Sequence, residues 1–269
     1  MKKTVILGLA ITIIACFATS CDVIPTDEYL TPVINGDDTT TTTTTRNILI
    51  EEFTGQRCQN CPKAHAEINK LQTLYGDKII AIGIHAGFYA MPVAGYTADY
   101  RTVEGNAIHD YFGLTSYPKG VLNRTAYGST FITDYTEWEE KVEDMIDDIA
   151  TATITASKNF DTETQQLTVN IETNVKGTEA VTAGLCAFVV ESGIVSPQAN
   201  GEEIIEDYVH NHVLRSSFNR AWGKPINGLG KDNKSYSMTW NNEWVYDNCN
   251  IVIYIYNITS KDILQVIEI

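Results

Sequence analysis

The apolar positions change their period repeatedly along the chain. From Val5 to Ala18 they are almost continuous, and from Asp22 to Arg46 they have no usable period. A strand-like run follows, Ile48-Leu49-Ile50-Glu51-Glu52-Phe53, and then Ala64, Ile68, Leu71 and Leu74 fall at helical spacing. Lys78 to His85 is nearly all apolar, the pattern of a strand covered on both faces. Gly87 to Arg101 reads as an aromatic loop, and Val103 to Phe112 as a short helix. Pro118 opens an apolar run that ends near Leu122, which suits an edge or first strand position or a cis bond. Thr136-Glu137-Trp138-Glu139 reads as a capping box opening a helix whose apolar face is Trp138, Val142, Met145, Ile146 and Ile149.

Beyond residue 150 the period becomes two. Ala152 to Ala156 and Leu167 to Glu172 alternate, and the turn-rich stretch between them predicts a hairpin. Further strands are expected over Leu185–Glu191, Tyr208–Arg215, Ser235–Trp240, Ile251–Asn257 and Ile263–Ile267, with no helical signal. The expected architecture is therefore an α/β domain over 46–150 followed by an all-β, immunoglobulin-like sandwich over 151–269.

The first 45 residues carry an address. Met1-Lys2-Lys3 is a basic start, and the apolar run after it is shorter than the ~20 residues of a membrane-spanning helix. Ala18-Thr19-Ser20-Cys21 ends that run with small residues and a cysteine. This predicts a lipoprotein signal over 1–20 and lipid attachment at Cys21, with Cys16 as a rival position. Residues 21–45, with Pro25, Pro32, Asn35-Gly36 and the threonine run Thr39–Thr45, read as a tether. Asp38-Thr39-Thr40 also resembles a bacterial O-glycosylation tripeptide, against the plainer reading of a linker.

The formal charge is −15, and losing Lys2 and Lys3 with the signal takes the mature chain to −17. That argues against nucleic acid and anionic lipid as partners, because both require a basic footprint. Membrane association would come through the N-terminal lipid, and the expected partners are envelope or extracellular proteins. Cys186 and Cys249 lie far apart in strand-like runs. They are read as unpaired buried thiols, with a disulfide as the alternative.

Cys58-Gln59-Asn60-Cys61-Pro62 sits between the first strand and the first helix. A thiol at a helix N-terminus faces unpaired N–H groups and the positive end of the helix dipole, which stabilises its thiolate. Cys58, at the helix start beside Arg57, is the expected exposed nucleophile, and Cys61 the buried resolving thiol. A structural disulfide, and a copper site completed by His85 or His109, are the competing readings. His210 and His212, two apart on an expected strand, face one side, either as a weak metal pair or in a polar cross-strand role. Trp222, Trp240, Trp244, Tyr246, Tyr254 and Tyr256 fit either a sugar-binding platform or the core of a β domain. No cofactor, metal centre, catalytic triad or phosphate loop is expected.

The order strand, CxxC, helix, strand, helix, proline, strand, helix resembles the thioredoxin fold. The resemblance implies that Pro118 lies beside the dithiol and that the backbone of Tyr117 pairs with a bound peptide. It also implies that Glu52, six residues before Cys58, handles the proton of the second cysteine. Arg57 departs from the tryptophan usual before the first cysteine, which removes a recognition surface. The whole chain further resembles the outer-membrane-protein-28-related surface lipoproteins of anaerobic gut and oral bacteria. The matching stretches are Glu51 to Cys58, Tyr117-Pro118-Lys119-Gly120 with Asn123-Arg124, and His210 to Arg215 with Ala221-Trp222-Gly223. This implies a lipid-anchored outer-membrane protein, on its periplasmic or cell-surface side. The expected function is thiol–disulfide exchange on envelope proteins. The alternative is a non-catalytic surface binding protein or adhesin that keeps a thioredoxin-like scaffold.

Overall fold

In the computed structural model, which describes residues 45–269, the runs of buried apolar residues become the inner strands of one long sheet. Strand β1 (Ile48–Thr54) leads through the CxxC turn into helix α1 (Cys61–Tyr75), which returns to β2 (Ile79–His85). Both strands are buried at every position. They pair in parallel, as a strand–helix–strand crossover requires. Helix α2 (Val103–Phe112) starts at Thr102, whose side chain accepts the Gly105 N–H. Strand β3 (Lys119–Leu122) then lies antiparallel to β1, with Lys119 opposite Phe53.

Helix α3 (Trp138–Met145) is entered through a capping box two residues earlier than expected, between Asp134 and Glu137. The helix ends at Met145, so Ile149 leaves the expected apolar face and is exposed.

The second half is strand-rich. It comprises β4 (Ala152–Asp161), β5 (Gln166–Val175), β6 (Ala183–Glu191), β7 (Ile194–Asn200), β8 (Glu203–His210), β9 (Val213–Ser217), β10 (Lys224–Ile226), β11 (Gly230–Thr239), β12 (Cys249–Asn257) and β13 (Ile263–Glu268). The main sheet runs β13-β12-β6-β9-β2-β1-β3, with β10 also paired to β6. β4, β5 and β11 form a separate three-stranded sheet, and β7–β8 a separate hairpin.

The expected boundary at 150/151 does not divide two sheets. β9 pairs with β6 on one side and meets β2 at Gly83–Val213 on the other, so strands from both halves share one sheet. One face of that sheet carries a single core in which Phe53, Ile82, Ile108, Phe188, Leu214 and Tyr254 belong together. The opposite face has two covers. α1 and α3 pack on β1–β3 through Ile50, Leu71, Trp138 and Val142, and the three-stranded sheet packs on β6 and β12 through Val169, Ile171, Leu185 and Ile253. The result is a mixed α/β, sheet-rich molecule.

The expected strand Tyr208–Arg215 is broken. His212 adopts a positive φ of 56° and separates β8 from β9, so His210 and His212 do not share a strand face. The lipid-attachment residue Cys21, its rival Cys16, the signal segment and the tether up to residue 44 lie outside the described residues.

Candidate functional site

β1 delivers two consecutive carboxylates into the interior, because alternate residues of a strand face opposite sides. Glu51 and Glu52 are both essentially unexposed. Glu51 meets Arg124: Nε donates to Oε2 at 2.8 Å and Nη2 to Oε1 at 2.6 Å. Arg124 Nη2 also lies 2.7 Å from the Tyr254 hydroxyl. The rings of Tyr254, Trp222, Tyr256 and Phe112 stand 5.0, 5.1, 5.4 and 5.8 Å from the guanidinium carbon. Burial opposes the charge of Arg124, but the carboxylate of Glu51 outweighs it and raises the guanidinium further above its usual range.

Several of the aromatics expected in a core or a sugar platform are thus accounted for as packing. Tyr254, Tyr256 and Trp222 surround Arg124, while Trp240, Trp244, Tyr246 and Phe160 pack on one another. Sequence reading singled out Glu52 and passed over the Glu51–Arg124 pair. The signal was present: a carboxylate inside an apolar strand requires a cation.

Glu52 faces α1. Its Oε1 lies 3.4 Å from His65 Nε2 and has no hydrogen-bond partner. His65 Nε2 also lies 3.0 Å from Thr54 Oγ1, and its Nδ1 lies 2.6 Å from the Tyr208 hydroxyl. His65 comes four residues after Cys61 on α1, so the two share a helix side. Glu52, His65, Tyr208 and His212 line a small cavity of about 30 Å³. Burial pushes the Tyr208 hydroxyl up to about 12. A larger surface cavity of about 540 Å³ lies by Asn47, Gln72 and Ile269, at the far end of β1 from the dithiol.

Cys58 and Cys61 are joined as a disulfide. The expected exposure of Cys58 is corrected: its relative exposure is 3%, against 0% for Cys61. The helix begins at Cys61 with Pro62 in its first turn, so Cys58 lies in the turn before the helix rather than at its first residue.

Two elements cover that turn. The first is the loop Phe88–Ala90. Tyr89 O accepts the Arg57 N–H at 3.1 Å, and Arg57 Nη1 donates to Phe88 O at 3.2 Å. The Arg57 guanidinium lies over the Phe88 ring, so this cation is committed to the loop. Gly55 permits the contact: a Cβ there would stand 2.5 Å from the Tyr89 carbonyl carbon. The second cover is the β7–β8 hairpin, described further below. It was not read from the sequence, although Asn200-Gly201 between apolar runs is a hairpin signal.

Pro118 is buried and directly precedes β3, at the end of β1 that leads into the dithiol turn, and the Tyr117–Pro118 bond is cis. The Tyr117 side chain is held between Tyr89, edge to face, and His109, whose near-parallel ring is hydrogen-bonded to its hydroxyl. Burial pushes that hydroxyl up to about 12. Among the described residues, the backbone N–H and C=O of Tyr117 take no hydrogen-bond partner. Gly87, with φ 67°, passes so close that a Cβ would overlap the Tyr117 hydroxyl.

His85 and His210 stack edge to face with Tyr100 in a buried group. Burial lowers both, His85 well below the ordinary histidine range and His210 to about 4, so both are neutral. No group of three or more metal-ligating side chains occurs among the described residues. Cys186 and Cys249 are free and buried, and burial pushes each up to about 12. They belong to the cores on opposite faces of the main sheet, which keeps them apart.

The family model for outer membrane protein Omp28 matches residues 105–269. No curated protein sequence matches the chain. Among solved structures, HBP35 of Porphyromonas gingivalis superposes with a TM-score of 0.67 at 14% identity, over 84% of this chain and 75% of that one. A structural-genomics target from Agrobacterium tumefaciens reaches 0.50 at 11% identity, over 84% and 95%. A domain of the outer membrane lipoprotein Omp28 from Porphyromonas gingivalis aligns at 21% identity over 45% and 88%, with a TM-score of 0.34. At these identities the first two likenesses show the fold alone. The family match begins at Gly105, so the dithiol lies outside it.

Proposed function

The chain belongs to the Omp28 family of outer-membrane proteins, and we propose that it is lipid-anchored through Cys21 and, by a dithiol that lies outside the family match, exchanges disulfides with other envelope proteins. Family membership places the chain at the outer membrane. Lipid attachment, a thioredoxin-like character for the first unit and an immunoglobulin-like character for the strands after it are parts of this proposal.

One observation carries the redox reading. A disulfide closes the turn between a buried parallel strand and the start of a helix, and the same strand holds a buried carboxylate. In this reading Cys58 is attacked by, or attacks, the partner's sulfur. Cys61 resolves the mixed disulfide, and Glu52 exchanges the proton of Cys61. Pro118 and the unpaired backbone of Tyr117 shape the strip where an extended peptide lies, and Arg57 fixes the neighbouring loop.

Reduction of a protein disulfide by the purified protein, with dithiol reductant recycling it, tests the reading. Wild type is expected to turn over and Cys58→Ser to be inactive; equal rates for both would refute it. The burial of Cys58 favours a second reading, in which the disulfide is structural and the protein is a surface binding protein or adhesin. In that case Cys58→Ser lowers stability and leaves partner binding intact.

A further inference from the structure

The hairpin β7–β8 is tied to the dithiol turn through the backbone of that turn. The carbonyl oxygens of Gly55, Gln56, Cys58 and Gln59 all accept N–H groups from it. Gln198 Nε2 donates to Cys58 O at 2.9 Å and to Gly55 O at 3.3 Å, and also to Ala199 O at 3.0 Å. The Ala199 N–H donates to Gln56 O at 2.8 Å, and the Gly201 N–H to Gln59 O at 3.0 Å. Gln56 reaches back, its Nε2 donating to Ser196 Oγ at 2.8 Å and to Pro197 O at 3.2 Å. Both glutamines are buried, Gln198 completely. Three carbonyl acceptors around Nε2 fix the orientation of the Gln198 amide, and leave its Oε1 buried without a partner.

We propose that Gln198 is a specificity-determining residue of the dithiol site: it latches the hairpin over the CxxC turn, so that Cys58 opens to an extended polypeptide and stays closed to small thiols. The proposal rests on the exchange reading for its biological meaning, but its test requires no turnover. The hairpin gives the Gln56 and Gln59 carbonyls their N–H donors and adds a second donor to those of Gly55 and Cys58, which already accept the Cys58 and Cys61 N–H groups at 3.0 and 3.3 Å; keeping these acceptors satisfied is what holds it down. A polypeptide in extended conformation brings replacement N–H groups and can take the hairpin's place as an added strand does. A small thiol brings none, and reaches the sulfur only when the hairpin opens by itself.

The exchange balances as follows. A thiolate of a polypeptide dithiol attacks the Cys58 sulfur, forming one S–S bond as the Cys58–Cys61 bond breaks. The electron pair leaves on the Cys61 sulfur, which takes up a proton. The partner's second thiol loses its proton and attacks the partner sulfur of the mixed disulfide, and Cys58 departs as a thiolate and is protonated. The partner dithiol becomes a disulfide, and Cys58 and Cys61 become thiols.

The test measures stoichiometric reduction of the Cys58–Cys61 bond in the full-length, detergent-solubilised protein. Dithiothreitol and a reduced unfolded polypeptide dithiol are compared at equal thiolate concentration, with an oxidised synthetic peptide of residues 55–63 as the uncovered reference. Wild type is expected to react with dithiothreitol about 100-fold more slowly than the peptide, and to favour the polypeptide about tenfold. Gln198→Ala and Gln198→Met should both speed the dithiothreitol reaction about tenfold and abolish the preference. Cys186 and Cys249 should stay unalkylated, which reports an intact fold; if Gln198→Ala exposes them, the volume-conserving Gln198→Met decides. The proposal is overturned if wild type reacts as fast as the peptide, if the variants match wild type, or if Gln198→Met alone restores the slow reaction. Failure of catalytic turnover would sink the exchange reading and leave these rates as they are.

Discussion

Replacing Arg124 by methionine should be among the most damaging single changes in this chain. The substitution keeps an unbranched side chain among four aromatic rings, where a thioether packs favourably, so lost packing is a minor part of the effect. What it removes is charge. Glu51 and Arg124 have side-chain exposures of 0%, so the carboxylate is left in the interior without its paired cation. Breaking a buried pair from one side costs about 3–5 kcal/mol, and the Tyr254 hydroxyl loses its neighbour for about 1 more. Against a whole-domain stability of about 5–15 kcal/mol, the variant is left marginal.

The double variant Glu51→Leu/Arg124→Met should recover most of the loss, to within about 2 kcal/mol of wild type, because no uncompensated charge remains. Guanidinium unfolding followed by tryptophan fluorescence measures all four members of the cycle. The coupling between the two sites should exceed about 3 kcal/mol. A coupling under about 1 kcal/mol, or a single-variant cost under about 1 kcal/mol, would refute the account of a desolvated, mutually dependent pair.

Acid should destabilise the fold through His210. Its folded-state pKa of about 4 lies below the unfolded value of about 6.5, so the unfolded chain binds the extra proton between those limits. Stability is therefore lost as pH falls from about 6.5 to 4, by on the order of 3 kcal/mol, and His210→Phe should reduce the slope in that window in urea titrations, leaving the part that buried His85 contributes; an unchanged slope would count against it. Thiol counting on native protein should find Cys186 and Cys249 unreactive, and both should appear on denaturation without reductant. A peptide linking the two would overturn this. Gly55→Ala should displace the Phe88–Ala90 loop and free Arg57, seen as faster proteolysis at that loop, since the added Cβ meets backbone at 2.5 Å. Mass spectrometry of the mature N-terminus should find acyl mass on Cys21, and Cys21→Ser should leave the protein unprocessed or soluble; an unacylated start elsewhere would remove the anchor.

The sequence by itself determined the elements whose cause is local. Continuous apolar runs gave β1 and β2, helical spacing gave α1, and the stretch Val103 to Phe112 gave α2. The CxxC turn, Pro118 before β3 and the strand-rich second half were legible for the same reason: each is written in a short window of residue types. The family was legible too, from stretches such as Asn123-Arg124 and Ala221-Trp222-Gly223, which meet in the fold where the Arg124 guanidinium lies over the Trp222 indole.

Tertiary structure alone decided what depends on distant segments meeting. The join of the two halves through β9 is a pairing across more than a hundred residues, and no local pattern encodes it. Cys58 is buried in a turn that meets the Phe88–Ala90 loop and, through its carbonyl, Gln198, 140 residues away, so the local logic of a thiol near a helix start predicted exposure where distant segments supply cover. His210 and His212 were paired by strand period, and a left-handed backbone at His212 took them apart. Glu51 and Glu52 look alike in sequence; the alternation of β1 sends one to an arginine and the other to a histidine on the dithiol helix.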